Sequence, residues 1–274
     1  MFTVRVVLFM TDVISVVGIE RFLSEDIRSE IKTEVFKTVD STNKIVKDRA
    51  SKGAREGLFA VAGEQTQGRG RLGRSFYSPT DTGLYMSLLL NPTIKPEDAV
   101  LITTAAAVSV CEALEKVGTE NPQIKWVNDI FVNSKKVCGI LTEASFNSKN
   151  GAFDYAVLGV GVNVYEPESG FPEEIKDIAG SVFLEKKENL RNEIAAEFLN
   201  SFMGYYKELS KKPHNSEYAR RCFVTGKRID VIKGDAVRTA TALSVDENCG
   251  LLVEFSDGVR EVLTSGEISV RVQD

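Results

Sequence analysis

From Glu97 to Val117 the chain is apolar on nearly every side, through Ala99, Ile102, Ala106 and Val110, and Pro96 stands at a favourable helix start. A helix without a wet face has to be covered over most of its circumference, so it must pack across something broad, and a β-sheet is the obvious cover. The flanking sequence supplies one. Glu34 to Val39 alternates as a strand does, Leu58 to Gly63 is a short buried run, and Leu84 to Leu90 is another. After the helix come Ile124 to Val132, Lys136 to Ser145 and Phe153 to Val164, separated by turns rich in Asn, Ser, Lys and Gly, the pattern of antiparallel hairpins. Leu190 to Leu209 returns to helical spacing with Ile194, Phe198, Phe202 and Tyr205 on one side, and a short segment around Pro213 to Arg221 follows. The expectation is an α+β domain with a mixed, largely antiparallel sheet flanked by helices.

At Lys227 the texture changes. Brief strands at Arg228–Ile232, Ala236–Val245, Gly250–Phe255, Val259–Leu263 and Ile268–Val272 are joined by the turns Asp246-Glu247-Asn248 and Asp257-Gly258, which suits a small closed barrel appended to the main domain. With 274 residues the chain is long enough for one large domain and one small one. The boundaries expected are 1–33 for an N-terminal extension of unknown role, 34–224 for the main domain and 225–274 for the barrel. The first nineteen residues are apolar, but Arg5 and Asp12 interrupt them and no small-residue cleavage site follows. They make a poor signal peptide and a poor membrane span, leaving a strand or a disordered leader open.

Composition narrows the function classes. A formal net charge of −5 argues against a nucleic-acid binder, which would show a basic face. Cys111, Cys138, Cys222 and Cys249 are widely scattered and His214 is the sole histidine. Neither a zinc site nor a Cys-His or Ser-His nucleophile fits that inventory, and unpaired thiols suit the cytoplasm.

What remains is a set of polar and glycine clusters. Gly68-Arg69-Gly70-Arg71-Leu72-Gly73-Arg74 strings guanidinium groups on a bendable backbone, suited to phosphate or carboxylate. Mutual repulsion predicts a mobile loop that orders around an anion, although such runs also serve as solvated loops or RNA contacts. Ser41-Thr42-Asn43, following Asp40 at the mouth of the first short helix, offers hydroxyls and an amide to a small polar head group, or simply caps the helix. Gln65 precedes the arginine loop. In Lys125-Trp126-Val127-Asn128-Asp129, strand alternation turns Lys125 and Val127 to one face and Trp126 and Asn128 to the other. A lysine within an apolar strand needs a partner, which Asp129 can supply, or a task. Glycines in Gly159-Val160-Gly161-Val162-Asn163 imply close approach by a ligand or another backbone, or a bulge.

In this order the clusters resemble the biotin–protein ligase family, whose fold is shared with lipoate ligases. The matching pieces are V-D-S-T-N, E-Q-T-Q-G-R-G-R-L-G-R, K-W-V-N-D-I, K-V-C-G-I-L-T-E, L-G-V-G-V-N and the closing Gly266-Glu267-Ile268-Ser269-Val270-Arg271. Val127 stands where proline is common in that family, and Cys138 fills a small-residue slot. The resemblance implies a class II synthetase-like catalytic domain, an SH3-like C-terminal barrel, and a two-step reaction. Biotin attacks the α-phosphate of MgATP to give biotinyl-5′-AMP, and a lysine of a biotin carboxyl carrier domain then displaces AMP.

By the same resemblance Lys125 bridges the biotin carboxylate and α-phosphate, and Arg71 assists catalysis. Biotin meets Ser41, Thr42, Asn43, Gln65, Arg69, Gly70, Arg71, Lys125 and Gly139, while Trp126 walls the pocket. ATP meets Arg69, Arg71, Arg74, Lys125, Asn163 and Arg271, with magnesium entering alongside ATP near Asn163 rather than in a protein-only metal site. MgATP and biotin are substrates, no tightly bound prosthetic group is implied, and the partner is an apo carrier domain of a biotin-dependent carboxylase. A homodimer through the central sheet is compatible; nucleic acid and membrane are not expected. Some members add an N-terminal winged helix-turn-helix that represses biotin genes. The roughly thirty residues before Glu34 are fewer than the about sixty such a module needs, so a monofunctional ligase is expected, with a shortened repressor as the alternative. Lipoate ligation and a pure binding module are the other rivals.

Overall fold

The computed structural model describes residues 12–147, 149, 151–264 and 268–272. The apolar helix has its expected cover: Val100–Lys116 (α4) lies on a seven-stranded sheet and beneath a second long helix, Leu190–Lys207 (α5). In spatial order the strands are β1 (Lys32–Phe36), β2 (Leu58–Ala62), β3 (Gly83–Leu90), β7 (Phe153–Asn163), β6 (Lys135–Phe146), β5 (Asp129–Val132) and β4 (Gln123–Lys125). β1 and β2 run parallel and every other neighbouring pair is antiparallel. The mixed, largely antiparallel sheet is therefore as expected.

Strand alternation divides the sheet between two cores. Leu84, Met86, Leu88 and Leu90 of β3 join α4 and α5 in the large core. On the opposite face the short helix Thr42–Ser51 (α3) sets Val46 against Leu58, Ala60, Leu89 and Val157. Because α3 is short and covers only part of that face, the rest of the surface beside it is left for a site.

Two features differ from the expectation. The run Ile124 to Val132 is not one strand: the chain turns through Trp126, Val127 and Asn128, and Lys125 pairs with Asp129 across the resulting hairpin. The alternation assigned to Lys125 through Asn128 therefore does not apply. The apolar residues on both sides of Asn128-Asp129 had masked a tight turn. The stretch before β1 is also more than an appendage where it is described. Helices α1 (Val16–Glu20) and α2 (Glu25–Glu30) pack against α5, and Ile19 of α1, Leu23 of the connection and Ile27 of α2 are buried in the large core. The open choice between strand and leader falls mostly on residues 1–11, outside the described residues.

After α6 (Asn215–Arg221) the chain forms a five-stranded antiparallel sheet ordered β11 (Arg260–Leu263), β10 (Leu251–Phe255), β9 (Ala236–Val245), β8 (Arg228–Lys233), β12 (Ile268–Val272). This is consistent with an SH3-like unit, with β11 and β12 at its edges rather than paired into a fully closed barrel among the described residues. Ser265, Gly266 and Glu267, part of the closing motif, lie outside the described residues. The two sheets meet at the 126–128 turn: Trp126 Nε1 donates to Cys249 O (2.9 Å), and Tyr218 OH of α6 donates to Val127 O (3.1 Å).

Candidate active site

Register builds the floor of the site. Across β3, β7 and β6, Tyr85 faces Gly161 and Gly161 faces Gly139; in the next row Ser87 faces Gly159 and Gly159 faces Leu141. Three positions on adjoining strands thus carry no side chain on the face beside α3. Other groups fill that room closely. A Cβ at Gly159 would stand 2.2 Å from Asn43 Oδ1, and Cβ atoms at Gly161 and Gly139 would meet the Phe76 ring at 2.7 and 3.0 Å. The glycines serve close approach by side chains, not a bulge.

Two cavities open on this floor. The smaller is lined by Ser41, Thr42, Asn43 and Gln65, with Arg69, Phe76 and the glycines. Ser41, Thr42 and Asn43 are buried, Gln65 is half-buried, and Thr42, Asn43 and Gln65 are held by hydrogen bonds. Thr42 N and Oγ1 both donate to Gln65 Oε1 (2.9 and 3.1 Å), and Gln65 Nε2 donates to Ser78 Oγ (3.1 Å). Asn43 Nδ2 donates to Glu143 Oε2 (2.9 Å), and Asn43 Oδ1 accepts from Ser87 Oγ (2.6 Å). Ser41 occupies the N-cap position of α3, yet its side chain makes no capping bond. The Ser-Thr-Asn cluster is spent on a pocket, not on ending a helix.

The larger cavity, of about 140 Å³, is lined by Arg69, Gly70, Arg71, Arg74, Lys125, Trp126, Asn128, Asp129, Lys136, Gly139 and Val270, among others. Arg69, Phe76, Gly139 and Leu141 line both cavities, so the two adjoin along these residues. The arginine loop forms their roof. Gly70 N donates to Arg74 O (2.7 Å), and Leu72 and Gly73 turn its tip with φ of 56° and 73°. The repulsion expected among its guanidinium groups is met by protein partners: Arg71 Nη1 donates to Asn128 Oδ1 (3.0 Å), and Arg69 Nη1 lies 3.2 Å from Glu143 Oε1.

Lys125 is half-buried and lines this cavity. Burial lowers its pKa; Asp129 opposes that, while Lys136, Arg271 and Arg74 reinforce it. A desolvated ammonium among other cations has a strong electrostatic incentive to meet an anion. Asp129 is the partner expected for Lys125, but its close ion pair is with Lys136, whose Nζ is 2.6 Å from Asp129 Oδ1. The stem of Lys136 passes Gly139, its Cε 3.6 Å from where a Cβ would stand, and so runs beside the junction of the cavities.

Of the residues singled out from sequence, Ser41, Thr42, Asn43, Gln65, Arg69, Gly70, Arg71, Arg74, Lys125, Trp126 and Gly139 line these adjoining cavities. Asn163 lines neither; its Nδ2 donates to Gly180 O (3.1 Å) and pins the loop after β7. Arg271 is exposed on β12, near enough to act on Lys125 through its charge. Phe76, Lys136 and Glu143 were missed. Glu143 and Lys136 belong to a motif whose glycine drew attention; Glu143, Leu141 and Gly139 share one strand face by spacing alone.

The family model described as biotin/lipoate A/B protein ligase matches residues 35–163, and that of the biotin protein ligase C-terminal domain matches residues 224–271. A bifunctional ligase/repressor BirA of Bacillus subtilis is 31% identical over 255 residues, covering 89% of this chain and 78% of the relative. A biotin–[acetyl-CoA-carboxylase] ligase of Mycobacterium tuberculosis is 27% identical, covering 86% and 87%. The solved biotin protein ligase of Aquifex aeolicus in complex with biotin and ATP superposes with a TM-score of 0.73 at 29% identity, covering 88% of this chain and 99% of that one.

Proposed function

The chain belongs to the biotin/lipoate A/B protein ligase family, and from that premise we propose that it joins biotin to a lysine of a biotin carboxyl carrier domain by way of biotinyl-5′-AMP. The observation that carries this reading is the pair of adjoining cavities, one lined by hydrogen-bonding groups of which Ser41, Thr42 and Asn43 are buried, the other by cations under an arginine roof. Biotin and ATP are the substrates. The ureido ring of biotin suits the Ser41, Thr42, Asn43 and Gln65 end, which offers more polar partners than a dithiolane could use. Its carboxylate then reaches the junction at Gly139, where the triphosphate approaches from the cationic side.

Joining a carboxylate to a phosphate requires two anions at bonding distance. No protein nucleophile is needed, so the chain's work is positioning and charge neutralisation. Lys136, beside the junction, and Lys125, deeper among the cavity's cations, divide that task in our reading. Lys136 neutralises the attacking carboxylate and Lys125 the α-phosphate. Arg69, Arg71 and Arg74 roof the triphosphate and keep water from the mixed anhydride until the carrier lysine arrives. Arg271 adds positive charge from the C-terminal sheet. We assign residues 34–224 to catalysis and 225–274 to this supporting unit.

The test is incubation with radiolabelled biotin, MgATP and an apo carrier domain. Label that survives acid precipitation on the carrier, and depends on ATP, is expected. Transfer of lipoate in preference to biotin, or no transfer alongside no biotin binding by calorimetry, overturns the reading.

A further inference from the structure

Asn43 is almost wholly buried, and its amide has two possible senses that present opposite chemistry to the smaller cavity. Glu143 decides between them. Its carboxylate accepts from Asn43 Nδ2 (2.9 Å) and lies 3.1 Å from Lys47 Nζ and 3.2 Å from Arg69 Nη1. Burial alone would raise the Glu143 pKa, but Asn43, Lys47 and Arg69 outweigh it and hold the group below the usual carboxylate range. An ionised carboxylate is acceptor-only, so the face of Asn43 turned to it must be the NH₂. The second Nδ2 hydrogen reaches Leu141 O at 3.4 Å. Oδ1 is left on the other side, where the Ser87 hydroxyl occupies one lone pair.

Gln65 is fixed independently and in the reverse sense. Its Oε1 is tied down by the Thr42 backbone N–H, a donor that cannot reverse, and its Nε2 is directed toward Ser78. The two amides of one pocket therefore point opposite polarities, one held by a backbone and one by a charge.

We propose that Glu143 is a positioning residue that locks Asn43 as a hydrogen-bond acceptor, so that the pocket selects a ring bearing N–H donors, as a cyclic urea does. This rests on the biotin-ligase reading and specifies what that site recognises. Lys47 and Arg69 keep Glu143 ionised, so a residue of the arginine roof helps set the polarity of the head-group end.

The test compares calorimetric binding of biotin with that of its two cyclic carbamate analogues, in each of which one ring N–H is replaced by oxygen. The intact protein should bind biotin about tenfold or more tightly than at least one analogue, since a ring oxygen would oppose Asn43 Oδ1. Glu143→Gln keeps an acceptor for Asn43 and should preserve that preference within about threefold. Glu143→Ala leaves only the long contact to Leu141 O (3.4 Å) to set the amide sense and should shrink the preference to about threefold or less; Glu143→Met, which keeps the bulk, replaces it if the smaller variant does not fold. Full preference in Glu143→Ala or Glu143→Met overturns the proposal. So do equal losses in Glu143→Gln and Glu143→Ala, because charge rather than amide sense would then be at work. An intact protein that binds no biotin overturns the ligase reading and this proposal with it, whereas biotin binding without preference overturns this proposal alone.

Discussion

Two ammonium groups share one carboxylate, and the sharing is unequal. Lys136 is in contact with Asp129, whereas Lys125 has no comparably short ion pair among the described residues and lies 5.8 Å from the centroid of the Phe131 ring. A paired lysine is held in place; a lysine over an aromatic face is desolvated more than it is compensated. In the proposed reaction both should matter, in different ways. Lys136→Ala and Lys125→Ala should each slow biotin-dependent exchange of pyrophosphate into ATP by about 10²–10³-fold, the scale of losing one preorganised electrostatic donor. Lys136→Ala should also raise KM for biotin, and Lys125→Ala should raise KM for ATP. Exchange at the unmutated rate in either variant removes that lysine from the chemistry. Lys136 escaped notice in the sequence because nothing local distinguishes it from Lys135; only folding brings Asp129 and Gly139 beside it.

Among elements, the glycine rows of β6 and β7 and the arginine loop above them form floor and roof, and each can be tested by one backbone-level change. Gly159→Ala drives a methyl into Asn43 Oδ1, and Asn43 cannot yield because Glu143, Ser87 and Leu141 hold it. Biotin affinity should fall tenfold or more by titration calorimetry, and the buried clash should lower the melting temperature as well; unchanged affinity in the folded variant would falsify the floor as a ligand site. In the roof, Gly70→Pro deletes the N–H that donates to Arg74 O and imposes φ near −65° where −121° is found. Arg71→Ala removes the bond to Asn128. Both should release biotinyl-5′-AMP, detected as intermediate lost on gel filtration, and retention equal to the unmutated protein counts against a closing roof. The long elements were legible in sequence because runs such as Phe153–Asn163 and Leu190–Lys207 carry their period over ten or more residues. The polar end of the site was legible because Ser41, Thr42 and Asn43 are contiguous. The turn at Trp126 to Asn128 was hidden between the apolar residues that flank it on both sides, and Glu143 was hidden because its partner Asn43 lies one hundred residues away.

At the scale of the molecule, segments distant in sequence are fastened by buried polar contacts, and these set how stability responds to mutation and to pH. Asp12 and Arg191 are both buried, with Nε 3.0 Å from Oδ2; Tyr165 OH donates to the same oxygen (2.8 Å), and Arg191 Nη1 donates to Gly83 O at the start of β3 (3.2 Å). Removing one member strands the other, so Asp12→Ala should cost about 3–5 kcal/mol in urea unfolding, whereas a surface pair such as Lys52–Asp48 should be worth less than about 1. His214 makes the link to the C-terminal sheet sensitive to acid. Its ring is fully buried: Nε2 is 2.9 Å from Thr104 Oγ1 and 4.0 Å from Cys249 Sγ, the Tyr205 ring meets it edge-on, and Nδ1 has no hydrogen-bond partner among the described residues. Burial lowers its pKa to about 4. The unfolded chain, with an ordinary imidazole near 6.5, binds the extra proton between pH 6.5 and 4, so folding stability falls as pH is lowered through that window. The stability associated with the neutral ring is whole above pH 6.5 and lost below about 4, a change of about 3 kcal/mol. Chemical unfolding at pH 7.5, 6, 5 and 4.5 should show this slope, and His214→Gln, which can still meet Thr104 but does not titrate, should flatten it. The same slope in both proteins would move the acid sensitivity away from this junction. Because Cys249 O also receives the Trp126 indole, protonation of His214 should loosen the wall beside Lys125, and biotin-dependent pyrophosphate exchange should decline over the same window in the unmutated protein and less in His214→Gln.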